Sequence, residues 1–289
     1  MGGIIAPSLK RYARNAGESA HPELWNGLVG AWVPALGVQG GTLFDISGRG
    51  NHGTLTNMDP ATDWVVGGNG VALRTDGVNE SISCGQNVGT LGASTLSFWA
   101  YIKFNVLPTG GSSQNHIIGR WGGADGPRVI ACRIVNSTTA RILTENTSQL
   151  FSDITIPALV INRWYFMLFV YDSGGGAFYL DGRKEGSFSG LDTSLRTSSS
   201  ASFTIGEDSS GFGDTNADWG AMYLWKGRAL GESHAITLAN HPLAPFELKR
   251  RPVFRVPVVA GGRIMSSLVA CGGLAGCGGI AGRGGGLAA

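Results

Sequence analysis

Along most of this chain apolar and polar residues alternate with a period of two, in short runs broken by Gly, Asn and Asp. Residues 94–102 show it most cleanly: Leu96, Phe98, Ala100 and Ile102 fall on one face, Ser97, Trp99 and Tyr101 on the other. A period of two is that of a strand with one face buried, and the breaking residues tolerate the positive φ that tight turns need. The same period recurs in 116–119, 128–134 and 164–171, the last so apolar that it predicts a central strand. Residues 177–180 run into Asp181-Gly182-Arg183, and Asp-Gly between strands predicts a type I′ hairpin. Two more strands are predicted at 202–206 and 221–225. One short helix follows at 232–239, with Asn240 and Pro242 as stop signals. The pattern predicts an all-β, two-sheet antiparallel sandwich.

Three blocks sharpen this. Gly27-Leu28-Val29-Gly30-Ala31-Trp32 comes first, then Asp45-Ile46-Ser47-Gly48-Arg49-Gly50-Asn51-His52-Gly53, then Asp76-Gly77-Val78-Asn79-Glu80. Their order resembles the laminin-G-like, concanavalin A-like jelly-roll family. Leu180-Asp181-Gly182 and the stretch Leu224-Trp225-Lys226-Gly227-Arg228-Ala229-Leu230 are similar to further motifs of that family. The resemblance spans roughly residues 23–240 and implies a jelly roll, a fold that mostly binds and displays, with some catalytic relatives. It divides the chain into an N-terminal arm (1–22), the jelly roll (23–240), an extended basic, proline-containing arm (241–262) and a Gly-rich assembly tail (263–289). The segment 240–257, which alternates basic and apolar residues with Pro, resembles the endings of laminin-G-like proteins encoded by phages and prophages of aquatic bacteria. Such an arm suits strand addition to another subunit, or wrapping of its own sandwich.

Composition narrows the function classes. With 289 residues, 43% hydrophobic and 15% charged, the chain can bury a large core and is not a disordered one. A net charge of +2 is too weak to point to nucleic acid, and no segment is long enough for a membrane helix. Ile4-Ile5-Ala6 is too short for a signal core, so the expectation is a protein that reaches the outside by lysis or as part of a particle. Cys84 and Cys132 fall in strand-like runs, where a thiol serves as a small apolar filler. Cys271 and Cys277 either cross-link subunits or replace repeat positions. Gly273, Gly276, Gly279, Gly282 and Gly285 recur every third position, which suits either a flexible tail or a close-packed extended helix held by neighbours. The preferred reading is an assembled one.

Three kinds of chemistry are candidates on such a fold. Glycoside cleavage needs two facing carboxyls, and the Glu-x-Asp-x-Glu strand typical of the resembling hydrolases is absent. His52 sits in a family turn, where packing or turn chemistry accounts for it. The expectation is therefore a protein that is not an enzyme. No cofactor is required, but Asp214, Asn216 and Asp218 supply oxygen ligands of the kind calcium takes, with Asp76 and Asn79 as a second group; turn formation is the competing account of both. A sugar wants an aromatic platform with polar neighbours, for which Trp99, Tyr101 and Trp121 are the candidates, the remaining tryptophans being assigned to packing. Together these predict a phage particle protein, decorating a capsid or tail. It would partner itself or other virion proteins through its terminal arms, bind a cell-surface glycan, and need neither nucleic acid nor membrane. Two alternatives stay open: a free carbohydrate-binding module or polysaccharide depolymerase, and a self-assembling extracellular fibre subunit.

Overall fold

In the computed structural model residues 12–111, 114–122, 128–207 and 213–249 are described. The Gly-rich tail, Cys271 and Cys277, and most of the basic arm lie outside them. The strands are β1 (Leu28–Trp32), β2 (Val38–Gln39), β3 (Thr42–Leu43), β4 (Gly53–Thr56), β5 (Trp64–Gly67), β6 (Gly70–Asp76), β7 (Ser81–Ser83), β8 (Thr95–Phe104) and β9 (Asn115–Arg120). They continue with β10 (Ile130–Asn136), β11 (Thr139–Glu145), β12 (Gln149–Thr155), β13 (Trp164–Asp172), β14 (Gly175–Leu180), β15 (Arg183–Phe188), β16 (Phe203–Ile205) and β17 (Asn216–Lys226). Two short α-helices, α1 (Pro34–Gly37) and α2 (Glu232–Asn240), and two 3₁₀ turns, Pro22–Trp25 and Ala244–Phe246, accompany them. No helix among the described residues is long and apolar enough to cross a membrane.

The strands form two antiparallel sheets, as the period of two predicts. One has eight strands in the order β15-β14-β13-β8-β17-β6-β5, with β1 added beside β17; the other has nine, β12-β11-β10-β9-β16-β7-β4-β3-β2. Their inner faces share one core. Leu96, Phe98, Ala100, Ile102 and Phe104 of β8 meet Ile130, Cys132 and Ile134 of β10 and Phe203 of β16 there. Cys84 and Cys132 are buried free thiols of that core, as their sequence setting implied. The Asp181-Gly182 turn has φ of 51° and 84°, positive at both central residues as a type I′ turn requires.

The eight-stranded sheet is apolar on its other face too. Rings stack across it in a continuous ladder, Trp164 on Tyr101 (4.4 Å between centroids), Tyr101 on Phe166 (4.5 Å), Phe166 on Trp99 (6.0 Å) and Trp99 on Tyr223 (4.9 Å). Each large ring is worth about 2–3 kcal/mol buried, so exposing this face to water would forfeit much of the fold's stability. The two ends of the described chain cover it: Leu24, Ala235 and Leu238, Ala244 and Phe246 join the same apolar cluster as Trp99, Tyr223 and Trp225. Polar ring atoms fasten the cover, Trp225 Nε1 donating to the Leu24 carbonyl (2.7 Å) and Tyr223 Oη to that of Pro242 (2.7 Å). Residues 13–20 pair with 246–249, through Ala13 N to Phe246 O (2.9 Å) and Ala20 N to Glu247 O (2.7 Å).

The Gly-Asn-His-Gly block is a clasp. Buried Asp45 accepts from the backbone N–H groups of Ala31 (2.9 Å) and Ser47 (2.9 Å) through Oδ1, and of Asn51 (3.0 Å) through Oδ2. His52 Nδ1 accepts from the Asp45 N–H (3.0 Å), and Trp32 Nε1 donates to the Asn51 carbonyl (2.7 Å). His52 therefore does turn chemistry. Replacing Asp45 with Ala leaves three backbone donors without their acceptor, and Asp45→Ala is expected to lose about 2–4 kcal/mol in urea unfolding. A loss below about 0.5 kcal/mol would show that the clasp does not hold the fold together.

Candidate functional site

The aromatic pair expected to form a sugar platform does not reach water. Trp99 is 1% exposed, stacked between Phe166 and Tyr223 under the chain ends, and Tyr101 is 7% exposed between Trp164 and Phe166. The strand that carries them has two apolar faces, so the face opposite the core is a second interior and not a surface. Gly220 shows how closely it is packed, since a Cβ there would approach Tyr101 to 2.5 Å.

The calcium set is corrected for a different reason. Asp218, wholly buried, sits in a row across the eight-stranded sheet between Arg74 and Lys103, its register partners. Arg74 grips it with Nε (2.7 Å) and Nη2 (3.1 Å), Lys103 Nζ lies 2.5 Å away and Asn105 donates at 3.1 Å. Burial alone would push its pKa up, but these hydrogen bonds and the charge of Arg74 hold it below the usual carboxylate range. A carboxylate so occupied has nothing left for a cation. Asn216 donates to the Asp76 carbonyl (2.7 Å), and Asp214 precedes β17 in a half-buried loop. Asp76 Oδ1 closes its own turn on the Val78 N–H (2.8 Å), and the Asn79 carbonyl accepts from Asn57 (2.9 Å). Among the described residues no group of three His, Cys, Asp or Glu side chains is placed to hold a metal ion.

The third aromatic candidate lies elsewhere, on the outer face of the nine-stranded sheet. Trp121, just past β9, packs on Ala131 and Leu143 of β10 and β11 and is 3% exposed. Its face is taken by arginines, with the guanidinium carbons of Arg128 and Arg133 at 5.3 and 5.6 Å from the ring centroid. The expected bare ring is thus corrected to a ring that seats two cations. One strand over, Phe151 of β12 is 56% exposed with the Arg141 guanidinium 4.4 Å from its centroid. Arg141 in turn makes a two-point pair with Asp153 (2.6 and 2.8 Å). Register sets these side by side: His116, Arg133, Arg141 and Asp153 are successive partners across β9, β10, β11 and β12. At the same edge Arg128 donates to Gln149 (3.0 Å), and Glu145 sits 3.6 Å from both Arg128 and Arg196. Chemically this face offers guanidinium donors and an exposed ring edge, the set that holds the hydroxyls, acidic groups and apolar flank of a sugar.

Sequence reasoning singles out Trp121 here but misses Arg133, Arg141 and Phe151. The pattern does not announce β11 and β12, although Ala140 and Ile142 alternate with Arg141 and Leu143; the polar residues between them obscure a strand at the sheet's edge.

Comparisons with known proteins bear on the fold. A family model described as the concanavalin A-like lectin/glucanases superfamily matches residues 75–234. No curated protein sequence matches the chain. Among solved structures it is similar to Trypanosoma rangeli sialidase in complex with the inhibitor DANA, with a TM-score of 0.52 and 17% identity over 73% of this chain and 32% of that one. It therefore spans about a third of the sialidase's length. It is similar also to domain 4 of AbnA, a GH43 extracellular arabinanase from Geobacillus stearothermophilus, in complex with arabinotriose (TM-score 0.51, 19% identity, 73% of this chain and 98% of that one). A third is the binding domain of Paraclostridial Mosquitocidal Protein 1 (0.50, 15%, 75% and 52%). At such identities the likeness establishes the fold. The expectation of a protein that is not an enzyme is corrected by these comparisons, because a sialidase and an arabinanase stand among the chains that carry this fold.

Glycoside cleavage would require paired carboxyls, and among the described residues two buried ones, Asp63 and Glu80, lie close together. Asp63 and Glu80, each 7% exposed, lie near enough for their charges to act on one another, beside Asp76, whose N–H donates to Glu80 (2.6 Å). Burial first, then the charges of Asp63 and Asp76, push the Glu80 pKa up from 4.5 to about 7, against the pull of the Asp76 N–H. Between those two values the folded chain holds a proton that the unfolded chain has lost, so stability falls as pH rises through that window and levels off above it. Glu80→Gln is expected to flatten this slope and to gain on the parent protein in Tm between pH 5 and pH 8. Parallel Tm profiles for the two proteins would show that Glu80 does not hold a proton through that window.

Proposed function

We propose that this chain, which belongs to the concanavalin A-like lectin/glucanases superfamily, binds glycans on the outer face of β9 to β12. The observation that carries the reading is the asymmetry of the two sheets. The eight-stranded sheet has both faces covered, whereas the outer face of the nine-stranded sheet bears the exposed ring of Phe151 beside the partly buried Arg141 and Arg133. The arabinotriose held by a fold neighbour supports saccharide as the ligand class. A glycan array probed with the full chain is expected to give discrete hits that Phe151→Ala weakens by about five-fold or more, the loss of one ring contact. Hits untouched by Phe151→Ala, in a variant that keeps the parent's Tm, would move the site elsewhere.

The finer reading is display on a phage particle. Residues 13–20 and 246–249 pair on the back of the eight-stranded sheet, so both described ends lie on the side opposite the proposed binding face. A particle gripping the terminal arms would hold that face outward, and many weak sites on one particle would gain avidity without any tight single contact. Light scattering after size exclusion is expected to find multimers for the full chain and monomers for a chain ending at Ala260. Monomers in both cases would end the assembly reading and leave glycan binding standing.

A further inference from the structure

We infer that the cavity between the loop after β12 and the β14–β15 turn is a second saccharide site, where Arg183 and Glu185 hold one neutral sugar unit; its ligand class rests on the glycan-binding reading above. The cavity has a volume of about 260 Å³. That is just under the roughly 300–1,000 Å³ of pockets that take drug-sized molecules, so it suits a single sugar ring. Folding itself builds one wall. Asp181, at the head of the turn, accepts from the Phe166 N–H through Oδ1 (2.9 Å) and from Arg163 Nη2 through Oδ2 (2.7 Å). The Arg163 guanidinium lies 4.8 Å from the centroid of the Tyr165 ring, and Tyr165 Oη accepts from the Val160 N–H (2.7 Å), which ties the loop to the same wall. These groups satisfy one another, so the wall stands before any ligand arrives.

The opposite wall is different. Arg183 and Glu185 line it from β15, the edge strand of the eight-stranded sheet, two residues or about 6.5 Å apart along the chain. Among the described residues their side chains form no salt bridge or hydrogen bond, with each other or with Arg163 and Asp181. The backbone sets this up. Lys184 pairs with Tyr179 and Gly186 with Phe178, so Glu185 is the extra residue of a bulge, a device that re-aims a side chain at a sheet edge. A guanidinium only donates hydrogen bonds and a carboxylate only accepts them, whereas a hydroxyl does both. Neighbouring hydroxyls of one sugar therefore satisfy Arg183 and Glu185 together. A simple anion or cation would satisfy one and set its charge against the other. Pro157, Ala158 and Leu180 supply the apolar lining that a sugar's C–H face packs on.

The test is saturation-transfer NMR on the full chain with four probes: glucose, galactose, arabinose and, as a zwitterion, glycine. The expected result is transfer to at least one sugar and none to glycine. The double variant Arg183→Ala with Glu185→Ala is expected to weaken that sugar about ten-fold or more, the scale of hydrogen bonds to charged groups. Ala158→Phe, which fills the space and removes no charge, is expected to do the same at the parent's Tm. Lys184→Gln, at the residue between them that pairs with Tyr179, is the control and should change binding by less than about two-fold. Sugar binding that survives both cavity variants overturns the inference, as does transfer to glycine alone. Silence from all three sugars, with glycan-array hits that Phe151→Ala weakens, overturns it and leaves the face of β9 to β12 standing. Silence together with an empty array overturns both.

Discussion

The constraint on which this structure depends is that its eight-stranded sheet is apolar on both faces. Once Leu96, Phe98, Ala100 and Ile102 commit one face of β8 to the shared core, Trp99 and Tyr101 are left on the other with the rings of β13 and β17. Water is a poor neighbour for five stacked aromatic side chains, so something must lie over them. The cover is drawn from the chain's own extremities: the turn at Pro22–Trp25, helix α2 and the turn at Ala244–Phe246. Ring N–H and O–H groups that reach backbone carbonyls in those segments keep the second interior free of stranded polar atoms at Trp225 and Tyr223.

That cover decides where function can sit. It closes the back of the eight-stranded sheet and brings residues near both described ends into one antiparallel pairing. Around Asp218 a buried carboxylate is compensated on the spot by Arg74 and Lys103, a structural use that costs little once all donors are placed. Arg133 and Arg141 stand opposite each other on a hairpin, the first against the Trp121 ring and the second against the Phe151 ring and paired with Asp153.

Much of the fold is legible in the chain because local rules and tertiary packing agree there. The alternation in β8, β9, β10 and β13, the Asp-Gly turn and the helix ending at Asn240 are features of a few adjacent residues. The Asp45 block is legible for the same reason: its donors and acceptor lie close in sequence, except for Ala31 on the neighbouring strand. Edge strands such as β12 are harder to see, since Gln149, Phe151 and Asp153 alternate with Leu150, Ser152 and Ile154 in a pattern too polar to stand out.

The site is less legible, and the reason is geometric. Period two tells correctly which residues of β8 share a face, but not whether that face meets water or another layer; α2 and the 244–246 turn, more than a hundred residues away, decide it for Trp99 and Tyr101. Asp218 carries the oxygen chemistry that calcium takes, yet its environment is set by Arg74 and Lys103 from other strands. The pairing of Arg133 with Arg141 follows from a hairpin register. Sequence by itself determined the layers, the turns and the family, because these rest on short-range periodicity and steric preference. Tertiary structure alone decided which surface is open and which charges are answered, because burial and electrostatic balance depend on neighbours that the chain brings together only when it folds.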